Sequence, residues 1–151
     1  NRGVGATLAA YGGSADEGMA AAEKGAVALT EWTLGLRDAV RARDGHHALM
    51  SALRHAARAE DGALLFVHAG IDTENPLSQQ TDNFWWGAGG FEEIAAPYDG
   101  FRKLVRGFDW HHPGIKVAAF TATVDGGCGF GGPLLAACFD GRGELVDTLE
   151  A

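Results

Sequence analysis

Apolar positions recur at helical spacing through the first third of the chain. Leu29, Trp32, Leu36 and Val40 fall at the interval that gathers side chains on one face of an α-helix. Ser14 followed by Glu17 has the form of a capping box, in which the hydroxyl and the carboxylate each satisfy a backbone N–H of the other residue. It predicts a helix start just ahead of the alanine-rich stretch from Met19 to Glu23. Asp44 and Gly45 interrupt the pattern before a second run carrying Leu49, Leu53 and Ala57. Two or three helices are therefore expected over residues 1–59.

From Glu60 the period changes. An acidic turn with Gly62 leads into residues 63–67, a short continuous apolar run of the kind found in a strand covered on both faces. Further strands are expected at 103–105, 117–124, 134–139 and 144–149. Phe139-Asp140-Gly141-Arg142-Gly143 reads as the hairpin turn between the last two. Residues 60–151 should thus be mainly sheet. No repeat or Pro/Ser-rich linker separates the parts, so the expectation is one α/β domain over 1–151.

Composition narrows the partners. Twenty acidic against twelve basic side chains give a formal charge of -8, which repels a phosphate backbone and argues against nucleic acid. No apolar stretch approaches the roughly 18 residues that span a bilayer, and no basic, apolar leader precedes the patterned sequence. The chain reads as soluble and cytoplasmic, with no membrane partner. Cys128 and Cys138 form no C-x-x-C and read as two small buried thiols. The 23 glycines, about 15% of the chain, are roughly double the average usage and imply tight turns and close backbone approaches. Because the first residue is Asn1 and the pattern starts at once, the chain looks cut from something longer.

Few residues offer chemistry. His68 stands where the strand at 63–67 should end, with small Ala69 and Gly70 behind it; ligands in layered α/β folds gather at such carboxyl ends. No H-x-x-x-H or H-E-x-x-H surrounds it, and a single histidine there is more often structural. Asp109, His111 and His112 cluster in "RGFDWHHPGI" after the strand at 103–105, where imidazoles and a carboxylate suit a divalent metal if the two strand ends meet. Adjacent histidines on a polar loop are also commonly just solvated. His46, His47 and His55 share no chelating face and read as surface or packing residues. "DGGCGFGGPLL" has a G-x-G-x-x-G register but too little chain after it for a dinucleotide-binding unit, and reads as a tight turn between adjacent strands. There is no G-x-S-x-G elbow, and Glu92 and Glu93 are ordinary surface carboxylates.

Taken in order, several segments resemble the calcineurin-like metallophosphoesterases of the bacterial phosphoprotein phosphatase type. "RGVGATLAAYGG" is similar to the segment that follows that family's GNHE motif, and "LLFVHAGID" to its strand-plus-His-Ala-Gly motif. "PLSQQTDNFWWG" resembles its "pl-x-x-Q…LLW" stretch, and "TVDGGCGFGGPLLAACFD" its late strand pair. The resemblance covers nearly the whole chain but only the C-terminal portion of the family's domain.

What the resemblance implies is part of a β-sandwich flanked by helices, and hydrolysis of a phosphomonoester or phosphoprotein by a metal-bridged hydroxide. Two divalent ions, manganese, iron or zinc, would serve the full-length enzyme, and at most one would bind here. His68 would be a ligand of the second metal. The family's D-x-H, GD-x-x-D-R-G and GN-H-E motifs are missing, so the isolated chain is expected to be inactive. Phe108 stands where the family has the histidine of a Gly-His motif, so Asp109, His111 or His112 would have to take over that ligand role. The arginine expected after Leu-Trp is replaced by "WGAGG", leaving Arg106 as a substitute phosphate contact. An exposed half-sandwich face implies self-association. The alternative is a non-catalytic binding module on the same fold that has lost its metals.

Overall fold

The computed structural model describes residues 4–87 and 89–151. Arg2, Gly3 and Ala88, which belong to segments quoted above, lie outside them. The protein is mixed α/β, with a helical N-terminal part and a mostly β C-terminal half. It divides into two compact units, Asn1–Leu53 and Arg54–Ala151.

The first unit contains helices α1 (Val4–Ala10), α2 (Ala15–Lys24), α3 (Ala26–Arg41) and α4 (His46–Ala52). The capping box forms as expected: Glu17 N–H donates to the Ser14 hydroxyl and Ser14 N–H to the Glu17 carboxylate, each at 3.1 Å. The apolar stripe of α3 explains two glycines. A Cβ on Gly18 would lie 2.7 Å from the Trp32 ring, and one on Gly13 would lie 2.6 Å from Leu36. Both positions must be bare for α3 to seat its large side chains. His46 packs against Tyr11, with its Nδ1 3.0 Å from the phenol oxygen. Among the described residues no helix is long and apolar enough to cross a membrane.

The second unit is built on a five-stranded sheet. Its strands are β1 (Ala56–Arg58), β2 (Leu64–Val67), β3 (Lys103–Arg106), β4 (Gly114–Val117) and β5 (Thr121–Asp125), in the order β1-β2-β3-β5-β4. The three central strands are mutually parallel and the two edge strands antiparallel to their neighbours. A separate hairpin pairs β6 (Leu135–Phe139) with β7 (Leu145–Glu150). Its turn is the expected one: Gly143 N–H donates to the Asp140 carbonyl, and the Asp140 carboxylate accepts from the N–H groups of Arg142 and Glu144.

Three expectations about these elements are corrected. The helical run does not reach Ala57: α4 stops at Ala52, and Ala56–Arg58 instead pairs with the free edge of β2. Residues 117–124 are not one strand, because the chain reverses between β4 and β5, where Ala118 N–H donates to the Thr121 carbonyl. Ala118, Ala119 and Phe120 make that reversal without glycine or proline, so the usual turn residues are missing from it. The strand at β2 is also not covered on both faces throughout, since Phe66 is exposed.

The main apolar cluster lies on one face of the central strands, while Leu64, Val105 and Ala122 are buried on the other. Leu65 pairs with Leu104 in register, and with Val67 they pack against Ile71, Phe84, Phe91, Tyr98 and Phe101 from the long connection between β2 and β3. That connection carries the short helix α5 (Asn83–Trp86) and two 3₁₀ turns. The glycine-rich segment after β5 joins the sheet to the hairpin rather than linking two strands of one sheet. There two backbones nearly touch: a Cβ on Gly132 would fall 1.9 Å from the Gly126 carbonyl oxygen, whereas a Cβ on Gly129 would meet nothing. Gly132→Ala should therefore lower unfolding stability by about 2 kcal/mol or more, within the range for overpacked sites. Gly129→Ala should be close to neutral. Urea unfolding of the two variants checks this, and equal midpoints would refute the close packing.

Candidate functional site

The carboxyl ends of β2, β3 and β5 lie side by side because the strands are parallel and in register, Val67 opposite Arg106 and Arg106 opposite Thr123. The residues that follow them therefore share one edge of the sheet. His68 follows β2 and is exposed. Its carbonyl accepts from the N–H groups of Gly107 (3.1 Å) and Phe108 (2.9 Å), which locks the two strand ends together. Its ring stacks on Phe108, centroids 5.4 Å apart at 14°, and tilts against Trp85 at 5.7 Å. Neither ring nitrogen of His68 has a hydrogen-bond partner among the described residues.

Arg106, the last residue of β3, points to the core side and is closely held. Its Nε donates to Thr123 Oγ1 at 2.8 Å, its guanidinium covers the Phe91 ring at 4.5 Å, and it is paired with Asp109 and, at 3.5 Å, with Glu92. The Arg106 and Asp109 side chains are both largely buried, so the ion pair has few competitors in water. The guanidinium is thus engaged through Nε and Nη2. A cavity of about 150 Å³ opens beside it, lined by Gly70, Phe91, Arg106, Phe108 and Trp110 among others. A larger groove lined by Glu74, Asn75, Glu93, Tyr98 and Asp99 shares none of these residues, and its carboxylates repel phosphate.

Asp125 ends β5 and is buried. Its Oδ2 accepts from Asp109 N–H at 2.8 Å and lies 2.8 Å from His112 Nδ1, and its Oδ1 accepts from Gly127 N–H at 2.9 Å. Burial pushes its pKa up, but the Asp109 N–H, the His112 side chain and the Gly127 N–H outweigh this and hold the carboxyl below the usual carboxylate range. His112 has φ 45°, a left-handed conformation uncommon for a residue with a side chain. Its ring is stacked on Phe130 at 4.5 Å and meets the edge of Phe108 at 5.8 Å.

The four residues expected to share a metal are therefore brought to one edge of the sheet but do not converge as a set. Asp109 spends its oxygens on Arg106 and on His111 N–H (2.8 Å). His111 is exposed, and His68 and His112 are each in contact with the intervening Phe108. Among the described residues no group of three His, Cys, Asp or Glu is placed to hold a metal ion. His68 has both ring nitrogens without a hydrogen-bond partner among the described residues, whereas His112 Nδ1 is taken by Asp125. His55 is a packing residue against Phe84 and Trp85. The cysteines, expected to be buried, are free and exposed, Cys138 because it alternates to the open face of β6 and Cys128 because it lies in a surface 3₁₀ turn. Asp125 drew no attention in the sequence, although an acid ending an apolar strand ahead of Gly126 and Gly127 is a recognisable signal.

Comparison with protein-family models, with curated proteins and with solved structures gives no match.

The depressed pKa of Asp125 sets a pH dependence. A carboxyl whose folded pKa lies below its unfolded value of 3.8 contributes stability that is present above that value and lost as the pH falls through the folded one. Urea midpoints of the wild type should fall more steeply than those of Asp125→Asn once the pH drops below about 4. Parallel acid limbs for the two proteins would show that Asp125 is not held ionised by these donors.

Proposed function

We propose that this chain is the C-terminal part of a metal-dependent phosphoesterase, acting on a phosphomonoester or a phosphoprotein, with His68 as its contribution to the metal centre. One observation carries the reading. The histidine of the strand-plus-His-Ala-Gly segment stands exposed at the carboxyl end of a central parallel strand, a position from which an imidazole can reach an ion. The architecture in this reading is part of a β-sandwich flanked by helices.

The chemistry that divalent cations supply in such enzymes is activation of water and neutralisation of phosphoryl charge. The described residues do not build a complete centre, so no reaction step is assigned to them. The remaining ligands would come from a preceding segment carrying D-x-H, GD-x-x-D-R-G and GN-H-E. By itself the chain binds at most one ion and does not turn over substrate, because a site with so few donors has little affinity. Self-association belongs to the same reading: Phe130, Leu134, Val146 and Leu149 are exposed apolar side chains around the hairpin.

A second reading, a non-catalytic binding module on the same fold, is favoured by Phe108. Its ring covers one face of His68 where the resembled family has a second histidine.

Manganese binding separates the two readings. Titration of the purified chain, followed by the signal of free manganese, should give binding to no more than one ion, weakened about tenfold or more in His68→Ala, at least the loss seen when a ligand's supporting partner is removed. Binding that ignores His68→Ala, or no binding, would leave the module. Metal-dependent hydrolysis of an aryl phosphate by the chain alone, abolished in His68→Ala, would refute the stated inactivity.

A further inference from the structure

We propose that the face of the sheet over β5 and β4 carries a binding site for a small monocarboxylate, built from Thr121, Thr123 and Lys116. The site lies on the flat of the sheet rather than at its strand ends. It includes none of the four residues considered for a metal and does not depend on the reading given above.

Register brings its residues together. Thr121 is level with Leu104 and Thr123 with Arg106 across β3, and Lys116 is level with Thr123 across β4. All three therefore stand on the face that carries Leu65, Val67 and Leu104. Where β2 turns Leu65 and Val67 to this face, β5 turns two hydroxyls to it. A groove of about 420 Å³ opens there, lined by Glu92, Lys116, Val117, Ala118, Thr121 and Thr123.

Thr121 points to a ligand most directly. It is 4% exposed, and its hydroxyl has no hydrogen-bond partner among the described residues, although leaving a buried hydroxyl unpaired costs free energy. No fully enclosed side-chain oxygen among those residues lacks a partner, so the little surface that Thr121 keeps includes its Oγ1, which reaches the groove that the residue lines. Thr123 is 3% exposed and accepts from Arg106 Nε at 2.8 Å, which leaves its own hydroxyl proton to donate elsewhere. The two hydroxyls stand two residues apart on one strand, about 6.5 Å. One carboxylate can therefore accept from both at about 2.7 Å each.

Lys116 supplies the charge. Its one ionic contact among the described residues is with Glu92, at 3.9 Å and with both side chains more than half exposed, a pair that contributes little. A ligand carboxylate can take the place of Glu92, which swings into solvent. Charge also limits the class of ligand. Arg106 is met by Asp109, Lys116 is the one cation in the lining, and Glu92 lines the same groove. One negative charge is accommodated, and a phosphate dianion is disfavoured. Val117 and Ala118 form an apolar wall for the rest of the molecule.

The test is titration of the isotope-labelled full chain with benzoate, in the presence of a chelator, read by the amide and methyl signals of Thr121 and Thr123. Saturable shifts are expected at both residues, with none from uncharged benzamide and a weaker response to inorganic phosphate. Thr121→Val keeps the shape and removes the hydroxyl. It should weaken binding about tenfold, the cost of one hydrogen bond to a charged acceptor, and leave the urea midpoint unchanged or raised, because that hydroxyl has no partner in the protein. Lys116→Gln should weaken binding by a similar factor, and Glu92→Gln should strengthen it. Equal responses to benzoate and benzamide, tighter binding of phosphate, or no saturable shift in the wild type would each overturn the proposal. A Thr121→Val variant that binds as well as the wild type, or that unfolds at lower urea, would overturn it too. With metal excluded, these outcomes leave the phosphoesterase reading to the manganese titration.

Discussion

The parallel pairing of β2 with β3 in the register Leu65 to Leu104 is the constraint on which the second unit depends. It puts Leu65, Val67 and Leu104 on one face, where they meet Phe84, Phe91 and Phe101. Side chains alternate between faces along a strand, so a slip of one residue would turn this apolar set to the opposite face, away from the rings it packs against. Parallel strands need a long crossover, and the crossover here is also the lid of the core. The same register determines the chemistry available. By ending β2 and β3 level, it lays the His68 carbonyl against the N–H groups of Gly107 and Phe108 and stacks the two side chains.

Charge is handled at this edge by enclosure rather than exposure. Arg106 is placed by its register with Val67 and Thr123 on the buried side, and its charge is met by Asp109 and by the face of Phe91. So engaged, the arginine helps to hold the end of β3 against its neighbours. Asp125 does for the loop what Arg106 does for the strand: it draws in the N–H groups of Asp109 and Gly127, satisfying backbone groups that the ends of β3 and β5 would otherwise leave unpaired. The consequence is a rigid base from which His112 and the aromatic rings project.

Much of this was legible in the sequence where side-chain period and turn chemistry agree. The capping box at Ser14, the stripe at Trp32 and Leu36 and the hairpin turn at Asp140 are all local signals with local causes. The position of His68 at a strand end followed from the apolar run before it. What could not be read were features set by partners distant in sequence. Ala56–Arg58 continues the composition of the helix before it and becomes a strand only because β2 offers a free edge. The pairing of His112 with Asp125 spans 13 residues and depends on the turn at residues 118–120, which no glycine or proline announces. The contacts of Arg106 with Thr123 and Glu92 likewise come from segments distant in sequence.

The free thiols have a consequence for the molecule outside its fold. Cys128 lies in the turn beside Phe130, and Cys138 stands on the open face of the hairpin near Leu149. Both are thus on or next to the exposed apolar side chains around the hairpin, the surface of the proposed self-association. In an oxidising compartment whose oxidant accepts the two electrons, a disulfide between copies would turn such an association from one governed by concentration into one governed by redox potential. Under the proposed self-association, the oligomeric state would depend on the compartment as well as on the surface.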